Sequence, residues 1–136
     1  MSEMVSPPIP APDVDTQAWW DSLRSGVFSL CYCEACARYQ HPPLEACRRC
    51  GARLVLKEAK GSGTLHSFII QQRAMLPGFD VPYVLGMIEL DDEPGLKVTG
   101  KVTCAPEEAV IGMRLTARLE QIGESDFLSP VFDPAD

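Results

Sequence analysis

The segment CYCEACARYQHPPLEACRRCGA, residues 31–52, carries the strongest structural signal in the chain, because it holds five of the six cysteines. Four of them form two Cys-x-x-Cys pairs, Cys33 with Cys36 and Cys47 with Cys50, separated by ten residues. Each pair can form a tight knuckle that presents two sulfurs to one cation, and two knuckles complete a tetrahedral site. Zinc is the commoner structural cation of such sites, so the spacing predicts a zinc ribbon.

Disulfide and redox uses of these cysteines are disfavoured by their context. The chain begins MSEMVSPPIPAPDVD, without the basic run and apolar stretch of a secretory signal, and no apolar run approaches the roughly 18 residues that span a bilayer. These features predict a cytoplasmic protein, whose thiols are kept reduced. A thioredoxin-like pair would begin a helix after a strand in a βαβ unit, and neither pair has such surroundings.

Two further residues lie close enough in sequence to be considered as ligands. Cys31 is separated from Cys33 by one residue, so the two cannot form the same knuckle, and we interpret Cys31 as a packed or free thiol. His41 precedes Pro42 and Pro43 and is interpreted as a turn residue, because four thiolates already close a structural zinc shell. A closed shell leaves no position for substrate, so the metal is expected to stabilise the fold without performing chemistry.

Composition and charge restrict the class of partner. With 136 residues, 46% of them hydrophobic, the chain suits one globular domain or two small ones that share a core. A net charge of -7 disfavours nucleic acid, because phosphate binding depends on an excess of Lys and Arg. Four arginines cluster on the ribbon, and they either balance the thiolate charge or meet an anion: Arg38, Arg48, Arg49 and Arg53.

The residues before the ribbon predict a tail and a short helix. Residues 1–14 contain four prolines and are interpreted as a flexible tail or linker. In DTQAWWDSLRSG, residues 15–26, Asp15 or Thr16 can cap a helix that the final glycine ends. Its aromatic side, Trp19 and Trp20 with Leu23, either packs on the protein's own core or contacts a partner subunit. The helix and the ribbon together are assigned to residues 15–52.

After Gly51 the pattern changes to β-strands, which are assigned to a barrel with a C-terminal tail over residues 53–136. Five apolar or alternating stretches, separated by glycine- and proline-rich turns, are predicted as its strands: LVLKEA, GTLHSFIIQQ, YVLGMIEL, LKVTGKVTCA and MRLTARLEQI. Gly63 would permit the close strand approach that closure requires. An OB-fold is the simplest architecture that fits, and another small barrel or a half-open sandwich is the alternative. The predicted fold class is therefore mainly β.

The chain shows no recognisable catalytic site of its own. It has two histidines, no nucleophile elbow and no glycine-rich phosphate loop. His66 and Ser67 are adjacent on a predicted strand and would face opposite sides. Cys104 ends a strand and is expected to be packed rather than reactive. We therefore expect no catalysis by this chain alone.

Several ordered motifs resemble one family. They are the run AWWDSLRSGVFSLCYCEACARYQHPPLEACRRCGA, then GSGTLHSF, LPGFDVPYVLGMIEL, IGMRLTARLE and LSPVFDP. Between Trp19 and Pro134 the chain resembles an acyl-CoA-associated family that joins a rubredoxin-like zinc ribbon to an OB-fold. Ala37 departs from the pattern, since the first knuckle of the family usually has glycine there, and this implies a slightly strained turn.

The resemblance implies a non-catalytic partner of a thiolase-fold enzyme. Members of the family occur beside acetoacetyl-CoA and benzoylsuccinyl-CoA thiolases, or with a steroid side-chain aldolase, sometimes fused to a hydratase. The thiolase-fold subunit would supply the nucleophile or base and the oxyanion hole for C–C bond cleavage or formation on an acyl-CoA. The loop RAMLPGFDVPY would contact CoA or close over the acyl channel, with these candidate residues: Arg73, Pro77, Gly78, Phe79 and Tyr83. Phe79 and Tyr83 could instead cap the barrel mouth.

Two other functions are kept as hypotheses. A single-stranded nucleic-acid-binding OB-fold protein would show salt-sensitive affinity for oligonucleotides. A free-standing redox or ligand-binding zinc protein would be a stable monomer. The acyl group and the choice between thiolysis and retro-aldol cleavage are left open by the residues, as are the stoichiometry of a complex and whether the chain is free-standing or one domain of a fusion.

Overall fold

A computed structural model describes residues 7–74 and 78–135. These residues form one α-helix, eight strands and a short 3-10 turn in this order: α1 Gln17–Arg24, β1 Ser29–Cys33, β2 Arg38–Gln40, β3 Val55–Glu58, β4 Ser62–Gln71, β5 Tyr83–Leu90, β6 Lys97–Val102, the turn Pro106–Glu108, β7 Arg114–Gln121 and β8 Leu128–Pro134. The predicted class is confirmed: the described part of the chain is mainly β, with one short helix, a four-cysteine ribbon and a closed five-stranded barrel.

Helix α1 begins after Thr16, one of the two residues predicted to cap it. Thr16 occupies the N-cap position, but its side chain makes no cap hydrogen bond. Asp13 instead stabilises the turn that leads into the helix, because its Oδ1 accepts the backbone N–H groups of Asp15 and Thr16, each at 3.0 Å. Gly26, with φ of +90°, follows the helix as predicted.

The ribbon is built on a three-stranded antiparallel sheet in the order β2-β1-β3. Its register places Cys31 opposite both Gln40 and Leu56, and Leu30 opposite Lys57. The assignment of LVLKEA to the barrel was therefore wrong, because β3 pairs with β1 of the ribbon. A strand pattern specifies its own conformation, but the choice of partner depends on which edge is available after folding.

The barrel closes in the order β4-β5-β6-β8-β7, with β6 and β8 parallel and the other pairs antiparallel. Its fifth strand is β8, which had been assigned to the C-terminal tail. Two prolines obscure the strand pattern there, although Val131 and Phe132 are buried. Leu30 of the ribbon belongs to the same buried cluster as Phe132, so ribbon and barrel share one core.

Gly63 provides the close strand approach that was predicted for it. A Cβ atom at this position would lie 2.6 Å from the backbone oxygen of Glu89 on β5. Only glycine therefore allows β4 to pair with β5 and β7 at this point of closure.

Candidate functional site: a cysteine cluster and an aromatic groove

The two Cys-x-x-Cys pairs converge at one end of the ribbon. The sulfurs of Cys33, Cys36, Cys47 and Cys50 all lie within 4.8 Å of one another. The Sγ atoms of Cys33 and Cys50 are 3.6 Å apart, and those of Cys36 and Cys47 are 4.0 Å apart. Zn–S bonds of about 2.3 Å in a tetrahedron place sulfurs about 3.8 Å apart. The cluster and the ribbon fold together indicate a structural zinc site.

Backbone donors support the sulfurs of both knuckles. The N–H of Cys36 lies 3.4 Å from the Sγ of Cys33, and the N–H of Arg49 lies 3.4 Å from the Sγ of Cys47. Hydrogen bonds from the backbone of Cys50 and then of Arg49 lower the pKa of Cys47 to about 6. The neighbouring sulfurs, first that of Cys50, raise the pKa of Cys36 to about 12. A cation bound at the centre of the four sulfurs would replace the proton that this crowding keeps on Cys36.

Each knuckle turns through one residue with positive φ. Gly51 has φ of +78° and Ala37 has φ of +55°. Ala37 therefore adopts the left-handed backbone conformation that favours glycine, which agrees with the slightly strained turn implied by the absence of glycine at this position.

Cys31 and His41 lie outside the cluster. Cys31 is buried, which raises the pKa of its thiol, as expected for a packed residue. His41 packs against Trp19 with ring centroids 5.4 Å apart, and burial lowers its pKa to about 4. The interpretation of His41 as a turn residue thus needs extending, because its ring also joins the contact between helix and ribbon.

The ribbon arginines do not act as a unit. Arg38 pairs with Glu93 of the β5–β6 turn at 3.3 Å, so it connects the ribbon to the barrel. The other three side chains are exposed: Arg48, Arg49 and Arg53.

The second feature is a groove of about 470 Å³ between α1 and the barrel. Its walls are largely apolar, with a few polar groups, and include these residues: Trp19, Trp20, Phe79, Tyr83, Leu85, Lys101, Ile122 and Val131. The rings of Phe79 and Tyr83 stack with centroids 6.0 Å apart. Trp19 is buried and donates its Nε1–H to the backbone oxygen of Ser29 at 2.8 Å, whereas Trp20 is half-buried and faces the groove.

Three of the five residues proposed to contact CoA line this groove. They are Gly78, Phe79 and Tyr83. Arg73 is exposed and is not among the lining residues, and Pro77 lies outside the described residues. Sequence analysis missed Lys101 and Ile122, which belong to β6 and to the residues after β7. No local motif marks them, because they reach the groove only through the barrel topology.

The sequence analysis considered His66, Ser67 and Cys104 for catalysis by this chain alone. A register shift between Leu65 and Ser67 interrupts the alternation along β4, and both His66 and Ser67 are exposed. The argument that they face opposite sides was therefore wrong, although no hydrogen bond joins their side chains within the described residues. Cys104 packs against the core, and its pKa is raised, mainly by burial, as predicted for a packed thiol.

In the described ranges no helix has the length and apolar character needed to cross a bilayer.

Comparison with known families gives two matches that cover successive parts of the chain. Residues 20–55 match the ChsH2 rubredoxin-like zinc ribbon domain, and residues 56–120 match the ChsH2 C-terminal OB-fold domain.

Three curated sequences are similar to the chain. A probable enoyl-CoA hydratase alpha subunit of Thermomonospora curvata is 32% identical over 94% of the chain. A DUF35 domain-containing scaffold protein of Methanocaldococcus jannaschii is 31% identical over 68% of the chain and 67% of its own length. The 3-oxo-4,17-pregnadiene-20-carboxyl-CoA hydratase alpha subunit of Mycobacterium tuberculosis is 27% identical over 79% of the chain. The chain spans only 40% of the first of these relatives and 34% of the third.

Two solved structures are similar to the whole fold. A chain of the Ltp2-ChsH2(DUF35) aldolase superposes with a TM-score of 0.84 and 28% identity, covering 94% of this chain and 100% of that one. A DUF35 protein of unknown function from Sulfolobus solfataricus has a TM-score of 0.56 and 13% identity, covering 85% of this chain and 81% of its own. The second similarity concerns the fold alone.

Proposed function

Because this chain belongs to the ChsH2 (DUF35) family, which joins a rubredoxin-like zinc ribbon to an OB-fold, we propose that it is a non-catalytic subunit of a thiolase-superfamily enzyme. The enzyme would be a thiolase or a steroid side-chain aldolase that cleaves or forms a C–C bond on an acyl-CoA thioester. The observation that carries the proposal is the similarity, over nearly the whole chain, to the DUF35 subunit of an aldolase. The hydratase alpha subunits among the relatives also support an acyl-CoA substrate.

In this proposal the catalytic groups belong to a separate thiolase-fold subunit in a heteromeric complex. That subunit would supply the nucleophile or base and the oxyanion hole. This chain would supply binding surface, because the described residues offer a packed core, a closed metal shell and a groove rather than a nucleophile beside a base. The complex would be cytoplasmic.

Zinc would stabilise the fold and would take no part in the reaction. We assign Cys33, Cys36, Cys47 and Cys50 as its four ligands, since their sulfurs have the spacing that tetrahedral zinc requires. Four protein ligands fill the coordination shell, so substrate has no access to the metal.

The aromatic groove is the proposed contact for the acyl-CoA. Gly78 lines the groove without a side chain, and Phe79 and Tyr83 present a stacked pair to an apolar group. Pro77 and Arg73 remain candidates from the same loop. Arg73 could meet a CoA phosphate from outside the groove, since it is exposed and carries a permanent charge.

Co-purification tests the subunit assignment. The tagged chain would be expressed together with the proteins encoded by its neighbouring genes, and the eluate analysed for a thiolase-fold partner by size-exclusion chromatography, mass spectrometry and zinc determination. We expect a heteromeric complex that contains about one zinc per copy of this chain. A monomer that binds no thiolase-fold protein, but binds oligonucleotide with an affinity that falls as salt rises, would support the nucleic-acid hypothesis instead.

Substitution of Phe79 tests the groove in the assembled enzyme. Phe79→Ser removes an aromatic wall that is 39% exposed, and we expect KM for the acyl-CoA to rise about tenfold, equivalent to about 1.4 kcal/mol. Val81→Ser is the matched control, because Val81 is 38% exposed in the same loop and is not among the lining residues. Equal KM values for the two variants would exclude Phe79 from substrate binding.

A further inference from the structure

Part of the proline-rich amino-terminal segment lies against the aromatic groove. We call residues 7–12, with the sequence PPIPAP, the strap. Pro7 and Pro8 line the same groove as Trp20, Phe79 and Tyr83. The sequence pattern had predicted only a flexible tail or linker here, so this contact is a product of the tertiary structure.

Burial within the strap falls on prolines. Pro7, Pro10 and Pro12 are half-buried, whereas Pro8, Ile9 and Ala11 are exposed. Ile9 is 55% exposed, although it is the largest apolar residue of the strap. The contact of the strap with the rest of the chain is therefore made by prolines rather than by its most hydrophobic side chain.

The strap is tethered to the helix that carries Trp20. Asp13, which directly follows the strap, accepts the N–H of Gln17 on its backbone oxygen at 2.9 Å and the N–H of Thr16 on its Oδ1 at 3.0 Å. These bonds hold the carboxyl end of the strap beside α1. The six residues before Asp13 therefore remain near the groove whether or not they are docked.

The backbone of the strap allows it to leave without a hydrogen-bonding penalty. Four of its six residues are prolines, which carry no N–H group. Packing of prolines on aromatic rings is the usual way in which such segments are recognised, and a polyproline II segment loses little conformational entropy when it docks. The groove would thus recognise the shape of a proline-rich segment, and the strap could still dissociate easily.

We propose that the aromatic groove is a polyproline-binding surface, and that the strap of this same chain is its occupant, docked in cis as a displaceable cover. A short tether gives an effective concentration in the millimolar range. A segment that binds with a Kd of about 0.1 mM in trans is then docked about nine-tenths of the time in cis. Weak proline–aromatic packing is therefore sufficient to keep the groove covered.

The test compares two variants of the full chain. Pro7→Ser/Pro8→Ser/Pro10→Ser replaces the two prolines that line the groove and the half-buried Pro10, whereas Ile9→Ser/Ala11→Ser changes two exposed positions that are not among the lining residues. We expect acrylamide quenching of tryptophan fluorescence to rise about twofold in the first variant and to match the unsubstituted chain in the second. Adding Trp20→Phe to the first variant should remove most of the rise, because Trp19 is only 8% exposed and also packs against His41.

Binding in trans completes the test. A peptide of residues 7–14 should bind the proline-substituted chain and show at least tenfold weaker binding to the unsubstituted chain, whose groove is already covered. A peptide with the same three serines should bind at least tenfold more weakly than the native peptide. The proposal requires both results: unchanged quenching in the proline variant, or a native peptide that binds no better than the serine peptide, overturns it.

A last measurement separates this inference from the proposed function. If the groove also contacts acyl-CoA, which rests on the proposed function, the proline-substituted chain should bind coenzyme A more tightly than the unsubstituted chain, and the native peptide should compete. Peptide binding without any coenzyme A binding would retain the strap and overturn the CoA contact. Coenzyme A binding that Phe79→Ser weakens, together with no detectable peptide binding, would overturn the strap and retain the CoA contact. Coenzyme A binding that the bound peptide leaves unchanged would place coenzyme A outside the groove and overturn the CoA contact there.

Discussion

At the scale of single residues, Ala37 shows how a small departure from a motif is tolerated. Its φ of +55° lies in the left-handed region, where a Cβ atom is unfavourable. Ala37→Gly relieves this strain, which outweighs the greater freedom of glycine in the unfolded chain, and should raise the free energy of unfolding by about 1 kcal/mol. Chemical denaturation of the zinc-loaded protein measures the change.

Gly51 provides the matched reverse experiment for that prediction. It occupies the corresponding turn of the second knuckle, with φ of +78° and open space where a Cβ would lie. Gly51→Ala should lower the free energy of unfolding by about 1 kcal/mol through backbone strain alone. If both substitutions changed stability in the same direction, the strain argument would be wrong.

The burial of His41 predicts how the free energy of unfolding changes with pH, including the direction of the change. Burial lowers its pKa from 6.5 to about 4, so the folded protein keeps the ring neutral at pH values where the unfolded chain protonates it. The stability contribution is complete above pH 6.5 and is lost as the pH falls towards 4, by about 3 kcal/mol in total.

Comparison with His41→Gln isolates this contribution from acid release of zinc, which affects both proteins. Between pH 6.5 and 4 the free energy of unfolding of the native chain should fall more steeply, by about 1.4 kcal/mol per pH unit. Denaturant titrations at several pH values measure the two slopes. Parallel slopes would show that His41 titrates normally in the folded state.

At the scale of elements, the ribbon depends on its four sulfurs because its sheet is small. Strand β2 has three residues and β3 has four, too few to stabilise a sheet without support. Cys36→Ser should abolish tight zinc binding and lower the melting temperature, since the metal contributes directly to folding. Metal analysis of the purified variant and a thermal melt measure both effects.

Cys104→Ser is the control for that substitution, because Cys104 is a half-buried thiol that does not belong to the cysteine cluster found among the described residues. It should retain about one zinc per chain. Zinc retained in the Cys36→Ser protein would remove Cys36 from the ligand set.

At the scale of the whole molecule, Glu93 connects ribbon and barrel. Its side chain is 15% exposed, pairs with Arg38 and accepts the backbone N–H of Tyr39 at 3.0 Å. Glu93→Ala would leave that N–H without its partner and should reduce the free energy of unfolding by about 2 kcal/mol. Glu93→Gln retains an acceptor and should cost less than about 1 kcal/mol, because Arg38 is largely exposed. If both variants lost the same free energy of unfolding, the loss would come from the ion pair with Arg38 and not from the hydrogen bond to Tyr39.

The residues by themselves were sufficient for most features that depend on local spacing or on alternation. The two knuckles, the helix around Trp19, the strand character of β3 to β7 and the close approach at Gly63 could all be predicted, because knuckle geometry and strand periodicity act over a few residues. The bulge at His66 and the prolines of β8 interrupt that periodicity, and there the prediction failed.

Tertiary structure alone decided which elements meet. Strand β3 pairs with the ribbon and β8 closes the barrel, because pairing depends on free edges that exist only in the folded chain. The groove follows the same rule: Trp20, Phe79 and Lys101 are distant in sequence and carry no shared motif, yet closure of the barrel against α1 brings them together. Long-range contacts of this kind depend on the summed packing of the core, and no short stretch of sequence encodes them.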